Sequence, residues 1–119
     1  MNDNDTTIAQ LRQRFEQFVA QREWHKFHRP KNLSMSLAIE AAELMEHFQW
    51  LTHGEVDAML KDPAAKKEIA DEMADVLSFL LSMANAADID LAASFEAKMK
   101  ANELKYPADE VRGKYKKPR

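Results

Sequence analysis

Glu40-Ala41-Ala42-Glu43 and Glu72-Met73-Ala74-Asp75 decide how the chain is read, because the helices around them follow from the faces they occupy. At about 100° per residue an i, i+3 pair lies on one side of a helix, so each stretch points two carboxylates the same way. Leu37, Ala38, Ala41, Leu44 and Phe48 surround the first pair, and Ile69, Met73, Val76, Leu77 and Leu80 the second. The acids therefore border faces expected to be buried. Carboxylates taken out of water are costly unless they protonate, pair or bind metal. Oxygen-only donors suit Mg²⁺, with Mn²⁺ as a substitute, better than zinc.

Two overlapping patterns compete, since Glu43-Leu44-Met45-Glu46 and Glu68-Ile69-Ala70-Asp71 repeat the same spacing. On a helical wheel Asp71 falls with Ser78, Ser82 and Asn85 on a polar face, while Glu72, Asp75 and Phe79 form a stripe beside the apolar one. Asp71 is therefore expected in solvent. On the other helix Ser36, Glu40, Glu43, His47 and Trp50 recur in steps of four and three, as residues facing a partner helix do, and Glu46 lies outside that seam.

Outward from these stretches, the first helix is expected from the N-cap Thr6 to about Trp24, with Ile8, Leu11, Phe15, Phe18 and Val19 at helical spacing. Pro30 closes the loop that follows, and the second helix runs from Asn32 or Ser34 to the stop at Thr52-His53-Gly54. Residues 55–61 form a short turn. Asp62-Pro63 opens a third helix to Ala87, and Asp88 or Asp90 caps a fourth that reaches Lys105 before Tyr106-Pro107 ends it. The short link between the second and third helices makes them antiparallel neighbours, bringing the two acid pairs together.

Composition bounds the rest. A chain of 119 residues with 45% hydrophobic content and only 2 Gly and 4 Pro reads as one all-α domain over residues 1–119. Without Cys it has no disulfide or thiolate metal site, and no apolar run nears the roughly 20 residues of a membrane span. The residues before Thr6 lack the apolar core of a signal peptide, so a cytoplasmic location is expected. A net charge of −3 is too mild for a surface that binds a nucleic acid polymer. The tail 108–119, basic at Arg112, Lys114, Lys116, Lys117 and Arg119, is expected to be a flexible, solvated terminus.

Trp24-His25-Lys26-Phe27-His28-Arg29-Pro30-Lys31-Asn32 crowds aromatic and imidazole rings beside cations. Aromatic faces stack on nucleobases and the cations can meet phosphates, a composition suited to a nucleotide. The other reading is that Trp24 and Phe27 plug the end of the bundle while the cations face solvent.

Taken in order, W-x-x-F-H from Trp24, P-x-N-L from Pro30, E-x-x-E from Glu40, F-Q-W from Phe48, E-x-x-D from Glu72 and K-x-x-x-N-x-x-x-Y-P from Lys98 resemble the MazG-like nucleoside triphosphate pyrophosphohydrolases, in particular their small dCTP pyrophosphatase branch. The resemblance runs from about residue 8 to 107. It implies a four-helix, bundle-like MazG fold that assembles as a homo-oligomer, dimer or tetramer, and cleaves a nucleoside triphosphate between the α and β phosphates. It implies further that Glu40, Glu43, Glu72 and Asp75 are catalytic Mg²⁺ ligands and that Trp24, His25, Lys26, Phe27 and His28 form a substrate-binding loop. Trp50 matches an aromatic that contacts the base, and Lys98 and Asn102 match polar groups that reach the substrate. Phe79 stands where the dCTP-preferring animal enzymes have a substrate-contacting Tyr, Phe15 where they have His, and Lys105 where they have Arg. Base selection is therefore expected to be looser, with dCTP accepted beside other deoxynucleotides or modified cytosines.

A triphosphate carries about four negative charges and is repelled by four carboxylates unless divalent ions lie between them. Two other readings use the same acids. A di-iron bundle needs Glu-x-x-His on its helices; here His47 follows Glu43 by four residues, not three. A non-enzymatic helical interaction module would present the acidic seam to a basic partner.

Overall fold

Thr7, rather than Thr6, begins the first helix: its hydroxyl accepts from the Gln10 N–H while the Gln10 side chain accepts from the Thr7 N–H, a reciprocal cap. The computed structural model describes residues 1–114. Its helices are α1 (Ile8–Gln21), α2 (Pro30–Glu46), α3 (His53–Met59), α4 (Pro63–Ala87), α5 (Leu91–Lys105) and α6 (Ala108–Val111), with no strand among the described residues. The all-α expectation holds. No single described helix is long and apolar enough to cross a membrane.

Several boundaries differ from the sequence expectation for identifiable reasons. α1 stops at Gln21 rather than Trp24, and Glu23 follows with φ 52°, a left-handed backbone that ends a helix. Pro30 is the first residue of α2 rather than its barrier, since proline's missing N–H costs nothing at that position. α2 closes at Glu46, before the expected stop. Gly54 instead lies in the first turn of α3, because Thr52 and Glu55 form a second reciprocal cap. Asp88, at φ 53°, is the C-cap of α4, and Asp90 caps α5. Residues 108–111 of the tail expected to be flexible form α6, and 115–119 lie outside the described residues.

The chain divides into two units, residues 1–88 and a second beginning at Ile89. In the first, α4 packs mainly on α2 and also on α1. His28 just before α2 meets Ser82, and His47 just after it approaches Glu72, so α2 and α4 run antiparallel. Ser82 and Asn85 are not on a solvated face as the wheel suggested: Ser82 is buried, and Asn85 accepts from Arg12 Nε at 2.9 Å. Asp71 is exposed and pairs with Lys67.

The apolar core is small: Val19, Leu33, Ile69, Leu81 and Ala84 are its buried members among the described residues. Leu33 is 1% exposed. Leu33→Ala is expected to cost about 2–5 kcal/mol through lost burial and the cavity left behind, read as a lower thermal midpoint with helicity retained below it. The second unit holds α5 and α6, with Lys98 and Asn102 on α5.

Candidate functional site

Three of the four acids converge. One carboxylate oxygen from each of Glu40, Glu43 and Glu72 lies within 4.8 Å of the other two, about the span that donors around one oxygen-liganded ion cover. Glu40 Oε2 and Glu72 Oε2 are buried and have no hydrogen-bond partner. Burial, first, and then the hydrogen bond and charge of Glu43 with the charges of Asp75 and Glu72 push the Glu40 carboxyl from 4.5 up to about 7. Glu72 is raised as well, by burial and then by Glu43 and Asp75, with His47 acting in the opposite direction. Orphaned buried oxygens on clustered carboxylates fit a hard cation, which would satisfy the lone pairs and offset the repulsion.

Asp75 stands outside this trio but within reach of its electrostatics. It lies at the edge of a cleft of about 450 Å³ between α1 and α4, walled by Phe15, Phe18, Leu77 and Leu81, with Arg14 and Ser78 on its lining. Charge and an aromatic wall thus adjoin each other through Asp75. The apolar face around the acids is less buried than expected: Met73 is 57% exposed, and Leu77 and Leu80 are exposed too.

The loop residues divide. Trp24 meets Phe18 edge-on and stacks on His28; the His28 ring also stacks on Phe79 and bonds Ser82 Oγ through Nδ1 at 3.0 Å. Burial, and then the neighbouring His25, lower the His28 pKa. His25 pairs with Glu16, beside a second cavity of about 350 Å³ that includes Arg12 and Ser82. Phe27 is exposed, with Lys26 Nζ over its ring at 5.1 Å. Trp50, at 85% exposure, stands free in the turn after α2. Phe79 packs on His28 rather than lining the cleft.

Two residues near the site have no role in the sequence expectation. Arg14 enters the cleft from α1, and its mixed surroundings leave no periodic signal. His47 Nε2 lies 3.9 Å from Glu72 Oε1. Its place four residues after Glu43, on the same helix face, is the signal for it in the sequence.

The MazG-like family profile matches residues 35–117, across both units. The chain is 34% identical to human dCTP pyrophosphatase 1 over 95% of its own length and 66% of that protein's. For the rat dCTP pyrophosphatase 1 the figures are 33%, 92% and 64%. The chain thus spans less than two thirds of the length of these relatives. A crystal structure of a pyrophosphatase from Archaeoglobus fulgidus superposes with a TM-score of 0.79 at 37% identity, covering 90% of this chain and 98% of that one.

Proposed function

Because the chain belongs to the MazG-like family, we propose that it is a nucleoside triphosphate pyrophosphohydrolase, converting a nucleoside triphosphate and water to the monophosphate and pyrophosphate. The observation that carries this reading is the pair of orphaned oxygens on Glu40 and Glu72, inside a three-carboxylate cluster that feels the charge of Asp75, itself on the lining of an aromatic-walled cleft. Glu40, Glu43 and Glu72 would hold Mg²⁺, with Asp75 adding negative charge from the cleft side. When bound there, the ion supplies positive charge against the triphosphate and lowers the pKa of a water.

The chain's own residues have separate tasks in this reaction. Attack on the α-phosphorus forms one P–O bond and breaks the bridge to the β-phosphate, and the water's proton needs an acceptor. A carboxylate oxygen of the cluster that the ion does not engage is assigned to take that proton. Phe15 and Phe18 offer stacking surface for a flat base and keep water from it. Trp24 and His28 brace this wall by packing on Phe18 and Phe79. Lys26, His25, Phe27, Trp50, Lys98 and Asn102 enter the proposal through their motifs alone, as contacts to phosphate or base.

Incubation with a nucleotide panel and Mg²⁺ in ¹⁸O-water tests the reading. Pyrophosphate release with the label in the monophosphate is expected; phosphate release, or label in pyrophosphate, would contradict it. In the same panel dCTP is expected to be accepted with at least one other deoxynucleotide, since the cleft wall offers a base edge mainly carbon. Phe15→His, restoring a ring nitrogen, is expected to sharpen selection by about tenfold, the worth of one hydrogen bond. An unchanged order of kcat/KM would remove Phe15 from the base site.

We also propose that the active form is a homo-oligomer. Ile39, Met45 and Met73 are each more than half exposed on α2 and α4, and the buried core is small. Such a face is covered at low cost by a second copy. Light scattering at micromolar concentration is expected to give a dimer or tetramer; a fully active monomer would refute this.

A further inference from the structure

We propose that Ser82 is a positioning residue for substrate binding: through a hydrogen bond to His28 Nδ1 it fixes the loop between α1 and α2 on α4, and with it the aromatic wall of the cleft. This rests on the pyrophosphohydrolase reading and deepens it. His28, whose motif implies contact with the substrate, acts here by holding other rings in place.

Three other serine hydroxyls stay local. Ser78 and Ser94 donate to the carbonyls four residues earlier, at 2.8 and 2.7 Å, and Ser34 donates to Lys31 O at 2.7 Å, the ordinary use of a hydroxyl on a helix. Ser82, 6% exposed, instead meets His28 Nδ1 at 3.0 Å across 54 residues of sequence. A buried hydroxyl needs an acceptor, and among the described residues this nitrogen is the one it has. Ser82 therefore donates, Nδ1 accepts, and the ring proton lies on Nε2. Burial, and then the neighbouring His25, lower the His28 pKa against the pull of Glu16, which favours the neutral ring that an accepting Nδ1 requires.

The bond reaches the cleft through rings. His28 stacks on Trp24 and Phe79 and lies tilted against Phe15 at 5.9 Å, and Trp24 in turn meets Phe18 edge-on at 5.8 Å. Phe15 and Phe18 wall the cleft that Asp75 borders. The loop's other side-chain ties are weaker: the His25–Glu16 pair is exposed on both sides and contributes little, and Asn32 Nδ2 donates to Phe27 O at 3.4 Å. Among the described residues, no other side-chain hydrogen bond joins this loop to α4. Glu72 and Asp75 lie about three and two turns earlier on that helix, so losing the bond moves the wall while the acids stay in place. Its loss should weaken substrate binding and spare the chemical step.

Kinetics of the full-length protein with Mg²⁺ and its best deoxynucleotide test this. Ser82→Ala is expected to raise KM about tenfold, the worth of one hydrogen bond, with kcat within about twofold of wild type. His28→Phe keeps a ring in the stack but accepts no bond, and should raise KM to a similar extent. Adding Ser82→Ala to His28→Phe should then change KM by less than about twofold, because the two residues act as one unit. An unchanged KM in Ser82→Ala, a loss confined to kcat, or losses that multiply in the double variant overturn this inference but leave the pyrophosphohydrolase reading standing. Nitrogen-15 resonance of the histidine rings at about pH 8, above the ordinary imidazole pKa, reads the bond without turnover. Wild-type His28 is expected to carry its proton on Nε2; a proton on Nδ1 overturns the inference even if the variants fold poorly. A wild type that releases pyrophosphate from no nucleotide refutes the reading itself, and this inference with it.

Discussion

Glu43→Gln is expected to reduce Mg²⁺-dependent pyrophosphate release by about a thousandfold, the scale of losing a preorganised charge that acts on a phosphoryl transition state. The same change should leave helicity intact and raise the thermal midpoint of the metal-free protein near pH 8. The two effects have one cause. Glu43 is the partner whose hydrogen bond and charge, after burial itself, hold the Glu40 carboxyl at about 7, and it raises Glu72 too. Without an ion it is a source of repulsion; with one, it is a ligand. An amide keeps the shape and removes the charge, so activity and metal-free stability should move in opposite directions. Full activity in Glu43→Gln would remove it from the site, and a lower metal-free midpoint would show that the cluster is not electrostatically strained.

Metal-free stability should fall as pH rises from about 5 to 8, and Mg²⁺ should reverse that fall. The sign follows from Glu40, whose folded pKa of about 7 lies above its ordinary 4.5. Between these values the folded protein holds a proton that the unfolded chain has released, so its stabilising contribution is present below about 4.5 and lost as pH passes 7. Glu72 shifts in the same direction. A divalent ion competes with that proton, so the rise in thermal midpoint at millimolar Mg²⁺ should be larger at pH 8 than at pH 6. Thermal scans with chelator and with Mg²⁺ across this range would test it. A metal-free midpoint that is flat or climbs with pH would mean the three carboxylates are better solvated than their geometry indicates.

Much of this was legible in the chain, because periodicity and capping are local. The expected third helix, 63–87, coincides with α4, since Asp62-Pro63 is an unambiguous start. The i, i+3 spacing marks the two acid pairs, and six short motifs in order carry the family resemblance. Thr52-x-x-Glu55 is equally local and outweighs Gly54 as a stop, because a reciprocal cap satisfies two donors where glycine only permits a turn. Ser82 and Asn85 were misassigned for another reason. A helical wheel ranks faces by polarity, but it cannot know that His28 and Arg12 arrive from elsewhere to satisfy them.

By itself the sequence determined an all-α chain, its family, and which carboxylates share a helix face. These depend on a repeat of about 3.6 residues and on neighbours within a turn or two. Only the tertiary structure decided that Glu40, Glu43 and Glu72 meet while Asp75 turns to the cleft, and that His47 reaches Glu72. Those outcomes depend on the register between antiparallel α2 and α4. Leu33 on α2 and Ile69 and Leu81 on α4 are buried, and the fit of residues so distant in sequence is encoded by no single stretch.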